Sequence, residues 1–263
     1  MSALPVLDES SIRFYRHALS ILKGAEIPHL VGGAYAFARY TGIERHTKDF
    51  DVFIRREDFQ RASFAFQKAG YETELTFPHW LGKAYKGEDF VDLIFSAGNG
   101  VASVDDRWFE HAVKEQVFGV DVELIPAEEM IWSKGLIMER ERFDGADVAH
   151  VIRATGEKLD WNRLLERYGP FWRALLAHLI LYGFIYPGER SKVPAAVMDE
   201  LLNRVRAEGD EPEKITYGTI ISRQQYLKDI EEWGYKDARR ELGLMREEDL
   251  HRWTAGIEVD GAK

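Results

Sequence analysis

The chain has 263 residues, of which 45% are hydrophobic and 30% are charged, as in ordinary folded proteins with one large domain or two smaller ones. It contains no cysteine, which excludes a disulfide framework, a thiolate metal site and a cysteine nucleophile. The formal charge of −10 argues against strong sequence-independent binding to duplex nucleic acid. A small phosphorylated ligand stays compatible with this charge, because a bound metal ion can reverse the local sign of an acidic site.

Helical spacing and alternating apolar runs predict the elements of the first half. In chain order these are a helix ending at Gly24, a strand at 28–31, a helix at 34–40 closed by Gly42, a strand at 50–54, a helix at about 57–69, strands within 71–96 with a hairpin turn at 86–88, a helix around 106–115 and a strand around 119–125. Helices and strands mix irregularly, which predicts an α+β fold with a mixed sheet and flanking helices rather than a doubly wound fold.

After Pro126 the strand signals almost vanish. Helices are expected at 128–140, 144–154, 161–168, 171–184, 195–207 and 222–233. We therefore expect two domains, a mixed domain at 1–125 and a helical C-terminal domain at 126–263. The longest apolar stretch, at 171–186, is about one helical turn short of a bilayer span, and the first nine residues lack a signal pattern. A cytoplasmic protein with no membrane partner is expected.

The most informative residues are two aspartates on one predicted strand. Asp49 and Asp51 are two residues apart, so both point to one face of the strand, while Phe50, Val52 and Ile54 face the other. Neighbouring carboxylates repel each other and resist joint ionisation. A divalent cation removes this repulsion, and carboxylate oxygens are the ligands that Mg²⁺ prefers. The pair therefore indicates a magnesium site.

A glycine pair precedes these aspartates at the junction of a strand and a helix. Gly32 and Gly33 open the helix at 34–40, where free backbone N–H groups and the helix dipole can hold phosphate oxygens. Glycine also permits a ligand to approach the backbone closely. Each feature alone is common, and the indicative pattern is their order: strand, Gly-Gly, helix, and Asp-x-Asp on the next strand.

This order resembles the nucleotidyltransferase superfamily, which includes DNA polymerase β, the aminoglycoside nucleotidyltransferases and the AbiEii-type toxins. The resemblance covers residues 28–95, and a looser likeness to AbiEii-like proteins extends through 129–153. It implies a third carboxylate on a later strand, for which Asp92 is the candidate and Asp89 the alternative. A charge flanked by Val91 and Leu93 is costly unless it is paired or binds a metal.

The resemblance also implies the reaction. A nucleoside monophosphate would pass from an NTP such as ATP to a hydroxyl acceptor, which is a small molecule, an RNA or a protein, with release of pyrophosphate. Two Mg²⁺ ions, or Mn²⁺, would be held by the three acids. The phosphates would contact the backbone at the two glycines and basic side chains near them. The site residues expected on this basis are Asp49, Asp51 and Asp92 for the metals and catalysis, and Gly32, Gly33, Ala34, Lys48 and Lys134 for the nucleotide.

Other interpretations stay open at this stage. Lys48 and Arg39 also fit surface positions, and His46 and His79 are typical of structural histidines. The chain could be a catalytically idle member that binds a nucleotide or a partner, as in a toxin–antitoxin pair. It could also be a helical interaction protein whose acids are surface charges. The sequence does not indicate the acceptor, the preferred NTP or the oligomeric state.

Overall fold

The computed structural model describes residues 9–45, 47, 49–209 and 212–260. The chain divides into two compact units between Pro126 and Ala127. The first unit contains a mixed sheet with helices, and the second is almost entirely helical. The predicted fold class, an α+β mixed sheet with flanking helices followed by a helical half, is confirmed.

The first unit is built on a seven-stranded sheet in the order β3-β4-β5-β2-β1-β7-β6. Strands β2 and β5 run parallel, as do β1 and β7, and the other neighbours are antiparallel. The strands are β1 (Leu30–Val31), β2 (Asp51–Phe53), β3 (Glu72–Phe77), β4 (Leu81–Lys86), β5 (Asp89–Ile94), β6 (Val113–Val117) and β7 (Val120–Leu124). The helices are α1 (Glu9–Gly24), α2 (Gly33–Thr41), α3 (Phe59–Lys68) and α4 (Asp106–Glu110).

An aromatic cluster fixes one face of the central strand β2. The ring of Phe50, which is fully buried, stacks on Tyr15 of α1 with ring centroids 4.6 Å apart. Tyr35 of α2 packs edge-on against Phe50 at 5.4 Å. Val52 and Ile54 are also fully buried. The alternation predicted for this strand is therefore present, and it leaves the opposite face for Asp51.

One predicted helix of the first unit is wrong. The helix expected around 106–115 ends at Glu110, and Val113–Val117 forms strand β6, which pairs with β7. The two strands are joined at Phe118 and Gly119, whose φ angles are +54° and +72°. Such a turn with two positive φ angles is the type that matches the twist of a hairpin. Pairing with β7 thus outweighs the local helical spacing.

The helices of the second unit follow the predicted series in its first part. They are α5 (Ala127–Gly135), α6 (Gly145–Thr155), α7 (Trp161–Tyr168), α8 (Trp172–Ile185), α9 (Ala195–Ala207), α10 (Gly218–Ile221), α11 (Leu227–Glu231), α12 (Ala238–Glu241) and α13 (Glu247–Asp260). Two short parallel strands, β8 (Ile215–Thr216) and β9 (Lys236–Asp237), pair between them. In the described part of the chain, no helix is long and apolar enough to cross a membrane.

Two helix predictions in the second unit need correction. The helix expected at 128–140 ends at Gly135, where a Cβ atom would lie 1.9 Å from the hydroxyl of Tyr168. Of the helix expected at 222–233, only the short helix α11 is formed. On either side of this segment, the buried carboxylate of Asp237 accepts hydrogen bonds from Thr219 and Arg239 and forms a local polar core. A pattern search for apolar residues does not detect such a core.

Candidate active site

Asp51 and Asp92 face each other across two central strands of the sheet. They are direct partners in the parallel ladder of β2 and β5, and residues that are partners in a ladder project to the same face. The Asp92 N–H donates to Phe50 O at 3.0 Å, and the Ile54 N–H donates to Ile94 O at 2.9 Å. These hydrogen bonds hold the two aspartates in register. Two of the three predicted acids are thus brought together.

The glycine pair passes directly over Asp51. The Gly32 N–H donates to Asp51 O at 3.0 Å. Gly33 begins α2 with φ of +53°, and a Cβ atom on it would lie 1.7 Å from Asp51 Oδ2. Only glycine fits this position, because any side chain would collide with the carboxylate. The first turn of α2 therefore lies against the acid face of the sheet.

The N-terminus of α2 supplies backbone donors at this place. The first intrahelical hydrogen bond runs from Ala36 N–H to Gly32 O at 3.2 Å. The helix does not use the N–H groups of Gly33 and Ala34 for its own bonds, and no side chain caps it at Gly32. Free N–H groups and the helix dipole favour an anion here. Phosphate binding by Gly32, Gly33 and Ala34, as predicted, would require such unused N–H groups at the start of the helix.

Replacing Gly33 by alanine is expected to destabilise the protein and to displace the Asp51 carboxylate. The matched control is Gly42→Ala, since Gly42 also has positive φ (+71°) but a Cβ atom on it would meet nothing within 4 Å. The control should cost about 1–2 kcal/mol from backbone strain alone. Gly33→Ala should cost clearly more by urea unfolding. Equal losses for the two variants would contradict the proposed close contact.

Asp92 lies in a partly enclosed position and is paired with a lysine. Its side chain is 13% exposed, and its Oδ1 lies 2.8 Å from Nζ of Lys83. Lys83 is the direct partner of Asp92 in the antiparallel ladder of β4 and β5. Burial raises the pKa of Asp92, Lys83 lowers it, and the charge of Asp49 raises it again, with a net upward shift. Asp49 therefore acts electrostatically on Asp92.

Asp49 is exposed and precedes strand β2. Its N–H donates to the Thr47 hydroxyl at 3.0 Å, which sets the backbone just before the strand. The third acid is thus on the solvent side of the site, whereas Asp51 and Asp92 are half-buried. Asp51 and Asp92 lie on neighbouring strands of the sheet, whereas Asp49 lies just before β2 and is more exposed.

The three acids offer the right donor atoms for a metal ion, although their side chains do not yet converge. Among the described residues, no three carboxylate or imidazole side chains are grouped closely enough to hold one as they stand. The donor chemistry does fit, because all three groups offer hard carboxylate oxygens. The enclosed Asp92 Oδ1 atom also has no hydrogen bond of standard geometry, although the Lys83 ammonium is 2.8 Å away. Binding of one divalent cation by all three acids would require their side chains to come closer together.

Two tyrosines near the acids were not singled out by sequence reasoning. Burial, followed by the charges of Tyr15 and Asp51, raises the pKa of Tyr35, whose hydroxyl is enclosed without a hydrogen-bond partner among the described residues. Burial and the charges of Glu74 and Asp92 raise the pKa of Tyr85. Both hydroxyls stay protonated over the physiological pH range. They are uncharged donors beside an acidic surface.

The remaining residues predicted to bind the nucleotide are Lys48 and Lys134. Lys48 and His46 lie outside the described residues. Lys134 belongs to the second unit, where its Nζ lies 3.0 Å from Asp144 and 2.8 Å from Asp147. Its role in nucleotide binding stays a prediction.

The other candidate residues from the sequence have ordinary structural surroundings. Asp89 is the first residue of β5 and accepts a hydrogen bond from Ser11 at 3.1 Å. It is three residues from Asp92 and so projects to the other face. Arg39 pairs with Glu115 at the surface, and the His79 ring contacts Gly98 O at 2.9 Å.

The chain is similar to several solved structures, whereas no protein-family model and no curated protein matches it. It is similar to the antibiotic-resistance factor ANT(2'')-Ia, with 15% identity and a TM-score of 0.44 over 68% of this chain and 99% of that one. It is also similar to the lincosamide antibiotic adenylyltransferase LnuA, with 13% identity and a TM-score of 0.38 over 55% and 96% of the two chains. A third is an antigenic nucleotidyltransferase-like protein from Paracoccidioides brasiliensis, with 14% identity and a TM-score of 0.37 over 64% and 94%.

Proposed function

We propose that the chain is a metal-dependent nucleotidyltransferase that moves a nucleoside monophosphate from an NTP to a hydroxyl acceptor and releases pyrophosphate. The observation that carries this proposal is the contact between Gly33 and Asp51. This contact places the N-terminus of α2, which attracts phosphate, beside the carboxylate of Asp51. Asp51 is in turn the ladder partner of Asp92. A site of this kind suits an anionic phosphate chain that is accompanied by a divalent cation.

The residues divide into two groups by what they offer. The N–H groups of Gly33 and Ala34 would hold phosphate oxygens and stabilise the negative charge of the leaving pyrophosphate. Asp49, Asp51 and Asp92 would hold the divalent cations. Mg²⁺ in that position supplies Lewis-acid polarisation of the phosphate and neutralises its charge.

Asp92 is our candidate for the general base. Its carboxylate would accept the proton of the acceptor hydroxyl as the oxygen attacks the α-phosphate. It lies in register with Asp51 on the acid face of the sheet, where an acceptor beside the metal-bound phosphate would bind. The partly enclosed position also limits access of water, which would compete with the acceptor.

A second candidate function is a catalytically idle protein of the same fold that binds a nucleotide or a partner. The ion pair of Lys83 with Asp92 supports this alternative, because an acid already paired with an ammonium is less available to a metal. A toxin of a toxin–antitoxin pair would fit this alternative, and it would also fit an enzyme that modifies an RNA or a protein. Nucleotide binding without pyrophosphate release would favour it.

The deciding experiment measures pyrophosphate release by the full chain. The protein is incubated with each of the four labelled NTPs and Mg²⁺, alone and with a panel of polyhydroxylated small molecules, an RNA and a carrier protein as acceptors. We expect release with at least one combination, and complete loss on addition of EDTA. Release that persists in EDTA would contradict metal dependence. Nucleotide binding with no release under any combination would leave the idle alternative.

A further inference from the structure

Lys83 is a partly buried cation on the acid face of the sheet. Its side chain is 20% exposed, and its ammonium lies 2.8 Å from Asp92 Oδ1. The same ammonium lies 4.1 Å from the centre of the Phe90 ring. Phe90 and Asp92 are two residues apart on β5, so both face Lys83 across the hairpin. The ammonium is thus held by a carboxylate and by the electron-rich face of an aromatic ring.

The ammonium lies at the carboxylate that a divalent cation would use. A carboxylate has enough lone pairs to accept from an ammonium and to bind a metal ion, so the competition between Lys83 and the metal is electrostatic. Two cations on one partly buried carboxylate would repel each other strongly. Lysine is suited to an exchange of partners, because its charge is a compact point on a flexible four-carbon stem.

We propose that Lys83 is an exchangeable counter-ion of Asp92, displaced when a divalent cation binds there and then paired with a phosphate of the nucleotide. This inference rests on the proposed function and names a nucleotide-binding residue that the motif does not contain. Binding of the metal alone is opposed by Lys83. Binding of the metal together with a nucleotide is favoured, because the phosphates give the released ammonium a new partner. Lys83 thereby couples metal binding to nucleotide binding.

The test measures Mn²⁺ binding to the full chain without nucleotide, by the electron paramagnetic resonance signal of free Mn²⁺. Lys83→Met is expected to bind Mn²⁺ about tenfold more tightly than the wild type, within the usual range of coupling between two ligands. The matched control is Lys86→Met on the same strand. Lys86 also lies over an aromatic ring, that of Tyr71 at 5.0 Å, but its ladder partner is Asp89 rather than Asp92. This control should bind Mn²⁺ as the wild type does.

Lys83→Met leaves Asp92 without its cation, so folding is checked by circular dichroism. Lys83→Gln is the second variant, since its amide can still donate to Asp92 without carrying charge. It is expected to raise the Mn²⁺ affinity as well. Adding Asp92→Asn to either variant should abolish the gain, which would locate it at Asp92.

The second arm measures binding of a non-hydrolysable ATP analogue with Mn²⁺ present. Lys83→Met is expected to weaken it about fivefold or more, the opposite direction from the metal alone. Equal Mn²⁺ affinity in wild type and Lys83→Met, or a weaker one in the variant, would overturn this inference and leave the proposed function standing. If neither the wild type nor Lys83→Met bound Mn²⁺, both this inference and the proposed metal-dependent function would be overturned.

Discussion

Replacing Asp51 by asparagine is expected to lower pyrophosphate release about a thousandfold while leaving the fold unchanged. Asparagine has the shape of aspartate, so the close contact with Gly33 is retained. It lacks the negative charge and the second carboxylate oxygen that a metal-bound phosphate site requires. The loss would therefore be in the chemical step and in metal affinity rather than in stability. Initial rates with saturating NTP and Mg²⁺ measure the loss in the chemical step. Thermal unfolding measures whether the stability is unchanged.

The matched control for this variant is Asp121→Asn. Asp121 is also a strand aspartate of the first unit, but it is exposed on β7 and hydrogen-bonds to Gln116 at 2.8 Å. Its replacement should leave pyrophosphate release within about twofold of wild type, as is usual for surface changes away from a site. If Asp51→Asn and Asp121→Asn had the same activity, the assignment of the reaction to the acid face would be wrong.

The sequence predicts the part of the site that depends on residue order along one segment. Asp51 and the buried Phe50, Val52 and Ile54 follow from alternation in a strand, which is a local property. Gly42 was predicted to close α2, and it does so with φ of +71° and an N–H bond to Ala38 O at 2.8 Å. Both features can be recognised from the sequence because each depends on local geometry alone: alternation along a strand, and a glycine with positive φ at the end of a helix.

Lys83 could not be recognised in this way, because its partner depends on hairpin register. The sequence predicts a turn at 86–88, and the structure forms a tighter one in which Lys86 pairs with Asp89. That register brings Lys83 opposite Asp92. A shift of one residue would move Lys83 to the other face of the sheet. A turn sequence that contains Gly87 signals the hairpin but does not fix its register to one residue.

The wrong helix at 106–115 has a related cause. Trp108 is fully buried and stacks on Phe53 with centroids 5.4 Å apart, which is compatible with a short helix. The following residues, Val113–Val117, are mostly exposed and gain their structure by pairing with β7. Exposed edge strands lack the alternation on which sequence reasoning depends. Non-local pairing therefore decided the structure of this segment.

Replacing Glu129 by alanine is expected to destabilise the second unit by about 3–5 kcal/mol, the usual cost of breaking a buried ion pair. Glu129 is fully buried in α5, and its carboxylate accepts hydrogen bonds from Arg163 at 2.6 Å and from Arg167 at 3.0 Å. Both arginines are also buried. Alanine would leave them with less negative charge in a position that water does not reach, although Arg163 keeps its pair with Glu128.

The measurement of this loss is the urea midpoint followed by circular dichroism on the full chain, with the Glu200→Ala variant in parallel. Glu200 forms an ion pair with Arg204 four residues later on α9, at 2.9 Å, and its side chain is 52% exposed. Exposed pairs of this spacing contribute about 0.3–0.5 kcal/mol, so the control should shift the midpoint little. A small shift for Glu129→Ala would mean that the two arginines find solvent or other partners, and that the buried network does not hold the helices of this unit together. A large shift would show that α5 and α7 depend on this carboxylate, because the charges it neutralises all come from α7.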